Sequence, residues 1–234
     1  MKRMIGLVFV TSLSVLIGCQ EQPSEKVLHY QANNEIIGIE KEEIIGDISD
    51  TIYDSIDRSN LEAKEVFIHP IEGKGEDIVL PEGRYVIGIG EVLDGLPQSG
   101  RILVYDDEGQ LLLNELVDSA YGVNSVTLDL NGVHKVHIDG LDQALIVPAS
   151  TQISNELTAG IWEVGKDIEA GKYSVIAASE FAFGDLQVFE EGESPKLYEI
   201  LNSSTDSKIE IELKKGQKLK ISGLSYLKFE PEAS

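Results

Sequence analysis

The fold of this chain is decided by two stretches, Ser125-Val126-Thr127-Leu128-Asp129-Leu130 and Lys208-Ile209-Glu210-Ile211-Glu212-Leu213, in which polar and apolar residues alternate without a break. A period of two is typical of antiparallel strands that bury one face. Turn signals follow both stretches, notably Asn131-Gly132 and Lys215-Gly216. Short alternating strands separated by such turns predict domains of the sandwich or barrel-like kind.

Composition agrees with a folded body and excludes some functions. The chain has 234 residues, of which 42% are hydrophobic, and this is enough for one or two small domains with their own cores. The 41 acidic residues outnumber the 19 basic ones and give a net charge of -22, which argues against a nucleic-acid-binding surface. A single cysteine cannot build a disulfide framework.

The two β regions align with each other, which predicts an internal duplication. Residues 77–85 (DIVLPEGRY) correspond to residues 167–173 (DIEAGKY), with two residues fewer in the second turn. Eight positions from Val126 to Pro148 match eight from Ile209 to Pro231 at one constant offset, and we also align Leu116 with Ile200.

We therefore predict an all-β protein with one short N-terminal helix and two tandem duplicated antiparallel β-sandwich or barrel-like domains. The domains span residues 67–149 and 157–231, and residues 150–156 link them. In each copy we assign a structural turn role to one aspartate, one glycine and one tyrosine: the aspartate bonds backbone N–H groups, the glycine takes a φ that other residues resist, and the tyrosine starts the next strand. These residues are Asp77, Gly83, Tyr85, Asp167, Gly171 and Tyr173.

Residues 1–18 have the features of a signal peptide, with Lys2 and Arg3 before an apolar stretch that is too short to span a membrane. The Leu-Ile-Gly-Cys sequence that ends at Cys19 resembles the lipobox of bacterial lipoproteins. This resemblance implies cleavage before Cys19 and a diacylglyceryl group on its thiol, so that acyl chains hold the body on the outer face of the cell membrane. Cleavage would also remove Lys2 and Arg3 and make the net charge -24.

Two segments connect the anchor to the β domains. Residues 20–34 are polar and show little periodicity, which predicts a flexible tether over residues 19–40. Isoleucines from Ile45 to Ile56 recur at spacings of three, four and four, which predicts an amphipathic helix over residues 41–59. Its polar face is acidic, so we expect it to pack on the protein's own sheets, with a partner-binding helix as the alternative.

The second domain also carries a family pattern. Residues 160–173 (GIWEVGKDIEAGKY), with a later Lys-Lys-Gly-Gln hairpin, resemble a small all-β domain of exported proteins in Gram-positive bacteria, whose pattern is G-x-[WY]-x-V-G-x-D-I-x-x-G-x-Y. The first domain departs from it at residues 71–75. This family has no established biochemical activity, so the resemblance implies no catalytic residue.

The residues do not form a recognisable catalytic or metal-binding motif. His134 and His137 lie three positions apart on a predicted strand and therefore face opposite sides, while His29 and His69 are remote in sequence. No HExxH, nucleophile elbow or P-loop pattern occurs. We predict no catalytic residue, no cofactor and no metal ligand.

These observations favour a membrane-anchored extracytoplasmic lipoprotein that acts as a non-catalytic binding or scaffolding module at the bacterial cell surface. Its partners would be the membrane, through the lipid, and a protein or other envelope component, with no nucleic acid. The alternative is an extracytoplasmic solute- or metal-binding lipoprotein, in which the acidic hairpins at residues 106–109 and 190–193 hold Ca²⁺ weakly. A concave pocket between the domains would favour this alternative, and a flat solvated sheet would favour the module.

Overall fold

A computed structural model describes residues 22–90, 96–120, 122–177, 183–201 and 209–232. These residues form mainly β-strands, so the predicted all-β class is confirmed. The signal peptide and Cys19 lie outside the described residues.

The N-terminal region contains two helices and a 3-10 turn: α1 (Glu25–Asn33), α2 (Ile39–Ile45) and the turn Asp50–Tyr53. The strands in chain order are β1 (Glu35–Ile36), β2 (Val66–Ile68), β3 (Glu76–Val79), β4 (Gly83–Ile89), β5 (Ser99–Tyr105), β6 (Leu111–Asp118), β7 (Ser125–Leu130), β8 (Lys135–Asp139), β9 (Ala144–Pro148), β10 (Glu156–Glu163), β11 (Gly171–Ala177), β12 (Phe183–Phe189), β13 (Lys196–Leu201), β14 (Ile209–Leu213) and β15 (Lys218–Pro231).

The strands form one large and one small sheet. The large sheet runs β1-β13-β12-β15-β10-β7-β4-β9-β2, and β11 pairs with both β14 and β15. The small sheet runs β3-β8-β5-β6. In the first domain, β7, β4 and β9 share one hydrophobic core with the small sheet. In the second domain, the long strand β15 pairs with two different strands. Its first part pairs with β12, and its last part pairs with β11.

The two halves of the chain have the same strand pairing. β4 pairs with β7 and β9, and β11 pairs with β14 and β15. Tyr85 lies opposite Pro148, and Tyr173 lies opposite Pro231. The small-sheet pair β5–β8 corresponds to β12–β15, in which Asp185 lies opposite Ser222. These registers agree with the constant offset seen in the last third of the sequence.

The sequence alignment is wrong by one residue in β6. Pairing with β5 makes Leu116, not Glu115, the equivalent of Glu199 in β13. The first hairpin has one residue more between Val104 and Leu113 than its counterpart in the second domain, and a register shift in β5–β6 absorbs it. The offset that aligns β5 with β12 therefore does not hold for β6.

The two domains are joined by strand pairing as well as by the linker. β10 pairs in parallel with β7, with Gly160 opposite Thr127. A Cβ at residue 160 would lie 2.0 Å from the carbonyl oxygen of Thr127, and its φ of +131° also favours glycine. Gly160 thus permits the close approach that makes the large sheet continuous across both domains.

The N-terminal region differs from the predicted tether and helix. Residues predicted as tether form α1, where Ser24 caps the helix by accepting a hydrogen bond from the Val27 N–H, and β1, which pairs with β13. The predicted helix over residues 41–59 is wrong beyond Ile45, because Gly46 takes a φ of +66° and ends α2. Ile48 then forms a parallel bridge with Leu111, so the isoleucine spacing reflects packing of an irregular segment on the first domain.

Candidate functional site

A groove of about 740 Å³ is lined by residues of both domains. Its walls are the ends of β5, β6 and β8 from the first domain and the Ser222–Gly223 bend of β15 from the second. Gly223 has a φ of +74°, and a Cβ there would lie 2.7 Å from the carbonyl oxygen of Phe183. Glycine at this position therefore allows β15 to bend beside β6. We call this cleft the interdomain groove.

Glu115 of β6 connects the two walls of the interdomain groove. Its carboxylate accepts hydrogen bonds from the Ser222 hydroxyl at 2.7 Å and from the Gly223 N–H at 2.9 Å. The residue is only 2% exposed, and this burial raises the pKa of Glu115. A first-domain carboxylate is therefore fixed against the second-domain backbone.

More titratable groups are buried on the second-domain strands near this contact. Asp185 of β12 accepts a hydrogen bond from the Gln187 side-chain amide at 2.8 Å, and Gln187 lies opposite Lys220 of β15. Burial raises the pKa of Asp185 and lowers the pKa of Lys220. Both shifts have the same cause, because a low-dielectric environment disfavours the charged form of either group.

A second cluster of charges lies where the N-terminal region and both domains meet. Arg58 contacts Asp129 at 2.6 Å and Asp167 at 2.9 Å. Arg84 hydrogen-bonds to Asp129 at 2.9 Å, while its Nη2 lies 3.1 Å from Asp167 in an ion-pair contact that is not aligned as a hydrogen bond. The Arg84 guanidinium also stacks over Trp162, 4.7 Å from the ring centroid. We call these two arginines and two aspartates the arginine–aspartate network.

Asp167 thus takes part in more than a turn. It is 1% exposed, and its Oδ2 accepts a hydrogen bond from the Glu163 N–H at 2.8 Å, across the turn between β10 and β11. The same carboxylate binds Arg58, which comes from outside both β domains. Asp167 therefore combines the backbone contact expected of it with a contact between domains.

The two tyrosines occupy equivalent positions. The Tyr85 hydroxyl donates to the Pro81 carbonyl at 2.8 Å, and the Tyr173 hydroxyl donates to the Glu169 carbonyl at 2.9 Å. Both rings are buried, and burial raises the pKa of each phenol. Each tyrosine closes the turn that precedes its own strand.

Asp77 and the two glycines differ from their expected roles. Asp77 lies in β3 opposite His137, and its half-exposed carboxylate contacts His137 Nδ1 at 2.6 Å rather than a turn. Gly83 and Gly171 do not have positive φ values, whereas Gly165 has a φ of +92°. The strained turn position is therefore Gly165, which the sequence pattern contained but to which we assigned no role.

The acidic hairpins use their first carboxylates within the protein. Asp106 accepts hydrogen bonds from the Ser49 hydroxyl at 2.5 Å and from the Gln110 N–H at 2.7 Å. Glu190 is bound by Gln217 at 2.7 Å and by Lys214 at 3.2 Å. Within the described residues, no group of three or more His, Cys, Asp or Glu side chains is placed to share a metal ion.

The histidines near β8 have separate surroundings. His134 is buried, and its Nε2 lies 3.0 Å from the Thr51 hydroxyl. Burial lowers the pKa of His134. His137 lies on the partly exposed face between Asp77 and Asp139.

No family model, curated protein or solved structure matches this chain. None of the helices in the described ranges is both long and apolar enough to cross a membrane.

Sequence reasoning missed the residues that join the domains, namely Glu115, Arg58, Arg84 and Asp129. One signal was present, because Arg84 and Asp129 are opposite charges at facing positions of β4 and β7. The alternation placed both on a solvated face. In the structure the second domain covers this face of β4 and β7. The facing pair of opposite charges was the sequence feature that indicated a buried contact there.

Proposed function

We propose that this protein is a lipid-anchored extracytoplasmic lipoprotein whose two-domain body is a non-catalytic binding module at the bacterial cell surface. The interdomain groove would be its recognition site for a cell-envelope partner. The observation that carries this proposal is the groove itself, which has walls from both domains and a carboxylate, Glu115, that fixes one wall to the other. Leu116 adds an apolar side chain that is 69% exposed beside it.

Contacts that join the domains outside the groove support a preformed site. The arginine–aspartate network joins both domains and the N-terminal region through buried ion pairs, and the parallel β7–β10 contact continues the sheet between them. A groove between rigidly joined elements loses little conformational entropy when it binds.

We also infer that the two domains arose by duplication of one β unit. Equivalent glycines support this inference beyond the shared strand registers. A Cβ at Gly100 would lie 2.3 Å from the carbonyl oxygen that faces it, and the matching distance at Gly184 is 2.1 Å. Gly140 and Gly223, which lie beside them, have φ values of +75° and +74°. Shared backbone requirements of this kind are hard to reach by chance.

A solute-binding lipoprotein is the second candidate, and the concave groove between the domains is the feature that we expected for it from the sequence. Its volume of about 740 Å³ falls within the range of small-molecule sites, about 300–1,000 Å³. Partner recognition is favoured because the groove runs beside the edge of a sheet, which offers backbone groups to another chain.

The anchor is tested by substituting Cys19. If Cys19 carries the lipid, Cys19→Ala moves the protein from the membrane fraction to the medium, and Cys19→Ser does the same. A Ser24→Ala variant, which keeps the cysteine, should stay with the membrane. Membrane retention of both cysteine variants would contradict the anchor.

The recognition site is tested by photo-crosslinking on intact cells. A photoreactive residue at position 116 should capture a discrete envelope component. The same residue at position 79 is the matched control, because Val79 is exposed on the opposite edge strand, β3, of the same small sheet. Equal capture at both positions, or none at position 116, would contradict the groove as the site.

A further inference from the structure

We infer that the free edge of β6 in the interdomain groove, centred on Asn114 and Leu116, is a strand-addition site for an extended, basic peptide segment of a partner protein. This inference rests on the proposed function and deepens it, since it names the recognition mode and the chemistry of the partner.

The second domain shows what this edge accepts. There the equivalent strand, β13, is covered by β1, which pairs antiparallel with Glu35 opposite Tyr198 and Ile36 opposite Leu197. The Glu199 N–H donates a hydrogen bond to the Asn34 carbonyl at 3.0 Å. The edge of the second copy therefore holds an extended segment by its backbone.

The first domain presents the same edge without such a segment. β6 is the terminal strand of the small sheet, and among the described strands it pairs with β5. The edge backbone groups at the two ends of β6 already have hydrogen-bond partners. The Leu111 carbonyl accepts a hydrogen bond from the Ser49 N–H, and the Asp118 N–H donates one to the Val123 carbonyl, both at 2.9 Å. The part between these ends lines the groove.

The backbone groups of this middle part point into the groove. In an antiparallel pair, successive residues direct their N–H and C=O groups alternately toward the partner strand and away from it. The Asp118 N–H is directed away from β5, so Leu116 and Asn114, at two and four positions before it, present theirs on the same free side. Leu116 is also the positional equivalent of Glu199, whose N–H binds the added segment in the second domain.

The charges around the groove indicate which segment would bind. Asp118 and Asp139 contribute carboxylates to the groove lining, while Glu115 is buried and hydrogen-bonded between the walls. Arg101 is the one basic residue of the lining as the structure describes it, and it already pairs with Asp139. The whole chain carries a net charge of -22. A segment with lysine or arginine is therefore favoured, and the exposed Leu116 side chain offers it an apolar contact.

A second copy of this chain is disfavoured as the occupant. Two bodies that each carry such a large negative charge repel one another, and edge-to-edge pairing would bring two acidic grooves together. The same charge attracts a basic partner. The occupant to which the observations point is thus a segment of a different protein.

The test uses a soluble form that begins at residue 22 and a synthetic peptide with the sequence of residues 31–40, QANNEIIGIE, carrying Glu35→Lys and Glu40→Lys. In the intact protein β13 already holds its own β1, so the added peptide should bind β6. We expect hydrogen exchange of the Asn114 and Leu116 backbone amides to slow at least tenfold. Exchange of the Glu115 backbone amide, whose N–H is directed toward β5, should stay unchanged. The peptide with both glutamates should bind at least tenfold more weakly. No protection of Asn114 and Leu116 at millimolar peptide, or protection at β13 instead, would overturn the inference.

Two variants at one position separate backbone pairing from side-chain contact. Leu116→Pro removes the N–H that faces the groove, and proline is tolerated on edge strands. It should weaken peptide binding at least tenfold, whereas Leu116→Thr, which keeps the N–H, should stay within threefold of the unmodified protein. Thermal melting checks that both variants fold. An N-methyl group on the Ile36 amide of the peptide removes the donor from the other side and should have the same effect as proline.

Crosslinking at position 116 distinguishes this inference from the proposed function. If an envelope partner is captured and a proline at position 114 leaves its capture unchanged, the groove binds but strand addition is wrong. If the peptide protects Asn114 and Leu116 but position 116 captures no partner, strand addition stands and the proposed function fails. A dimer in ultracentrifugation that Leu116→Pro abolishes would overturn the partner in favour of a second copy.

Discussion

Asp167→Asn should strongly destabilise the protein, because it removes one of the four charges of the arginine–aspartate network. The network holds four charges with little access to solvent: the exposed side-chain fractions are 1% for Arg84 and Asp167, 7% for Arg58 and 12% for Asp129. Two positive and two negative charges balance within it. Burial opposes the charge on Arg58, yet its two carboxylate partners outweigh burial and raise its pKa.

The magnitude follows from what the substitution leaves behind. An asparagine side chain at this position has nearly the same shape as the aspartate, and its oxygen can still accept the Glu163 N–H. The negative charge is lost, so Arg58 and Arg84 share Asp129 alone and one positive charge is buried without compensation. Removing one partner of a buried ion pair costs about 3–5 kcal/mol, a large fraction of a typical stability of about 5–15 kcal/mol.

Urea unfolding followed by tryptophan fluorescence measures this effect, because the single tryptophan of the chain, Trp162, stacks against Arg84. We expect a clear fall in the midpoint for Asp167→Asn. The control is Arg101→Gln, which breaks an exposed ion pair with Asp139 and should leave the midpoint unchanged. Equal midpoints for the two variants would refute the view that this network fastens the domains together.

Three further changes test other parts of the structure. Because burial raises the pKa of Glu115, the folded protein binds the proton of this carboxyl group more tightly than the unfolded chain does. Ionisation of Glu115 therefore lowers stability as the pH rises above about 4.3. The variant Glu115→Gln should remove this loss of stability in thermal melts from pH 4 to 8. Gly184→Ala places a Cβ 2.1 Å from the Ser222 carbonyl oxygen and should cost about 1–3 kcal/mol in urea unfolding, whereas Gly73→Ala meets open space and should cost nothing measurable. Asn33→Ala removes two hydrogen bonds to the edge of β14, so hydrogen exchange along that edge should become faster.

The strands of the β domains could be predicted because their signal is local. In β14 the alternation matches the buried face throughout, and in β7 it identifies the core-facing residues Val126, Leu128 and Leu130, although Thr127 on the other face is also buried. The repeated offset then extended this prediction to the register of the last third of each copy. The β5–β6 hairpin has one extra residue, so the offset changes there. No pattern within β6 itself indicates this change of register.

The N-terminal segment could not be predicted because distant residues stabilise it. α1 has no buried residue, and its sequence is polar on most sides. It is held by contacts with the second domain, where Asn33 bonds both backbone groups of Glu210 and Tyr30 donates to Glu199. That hydrogen bond raises the pKa of Tyr30 to about 12. Such partners lie more than 160 positions away in sequence, and a scan for local periodicity does not detect them.

The candidate site was hidden for the same reason. Glu115 looks like one more acidic residue in an acidic chain, and its position became informative only once β6 lay beside the bend of β15. The parallel contact that brings the domains together depends on one glycine, Gly160, facing Thr127. The sequence contained the glycine, and the closeness of the two backbones explains it.

The difference between the two copies bears most directly on function. An open edge strand invites aggregation, and proteins usually cover such an edge or surround it with charge. The second copy covers its edge with β1, and the first leaves the middle of β6 open beside an acidic groove. Like charge keeps identical bodies apart while leaving the edge accessible to a basic segment. If the domains arose by duplication, as we propose, it supplied two equivalent edges: one binds the N-terminal segment of the chain itself, and the other would be the edge that we propose for a partner.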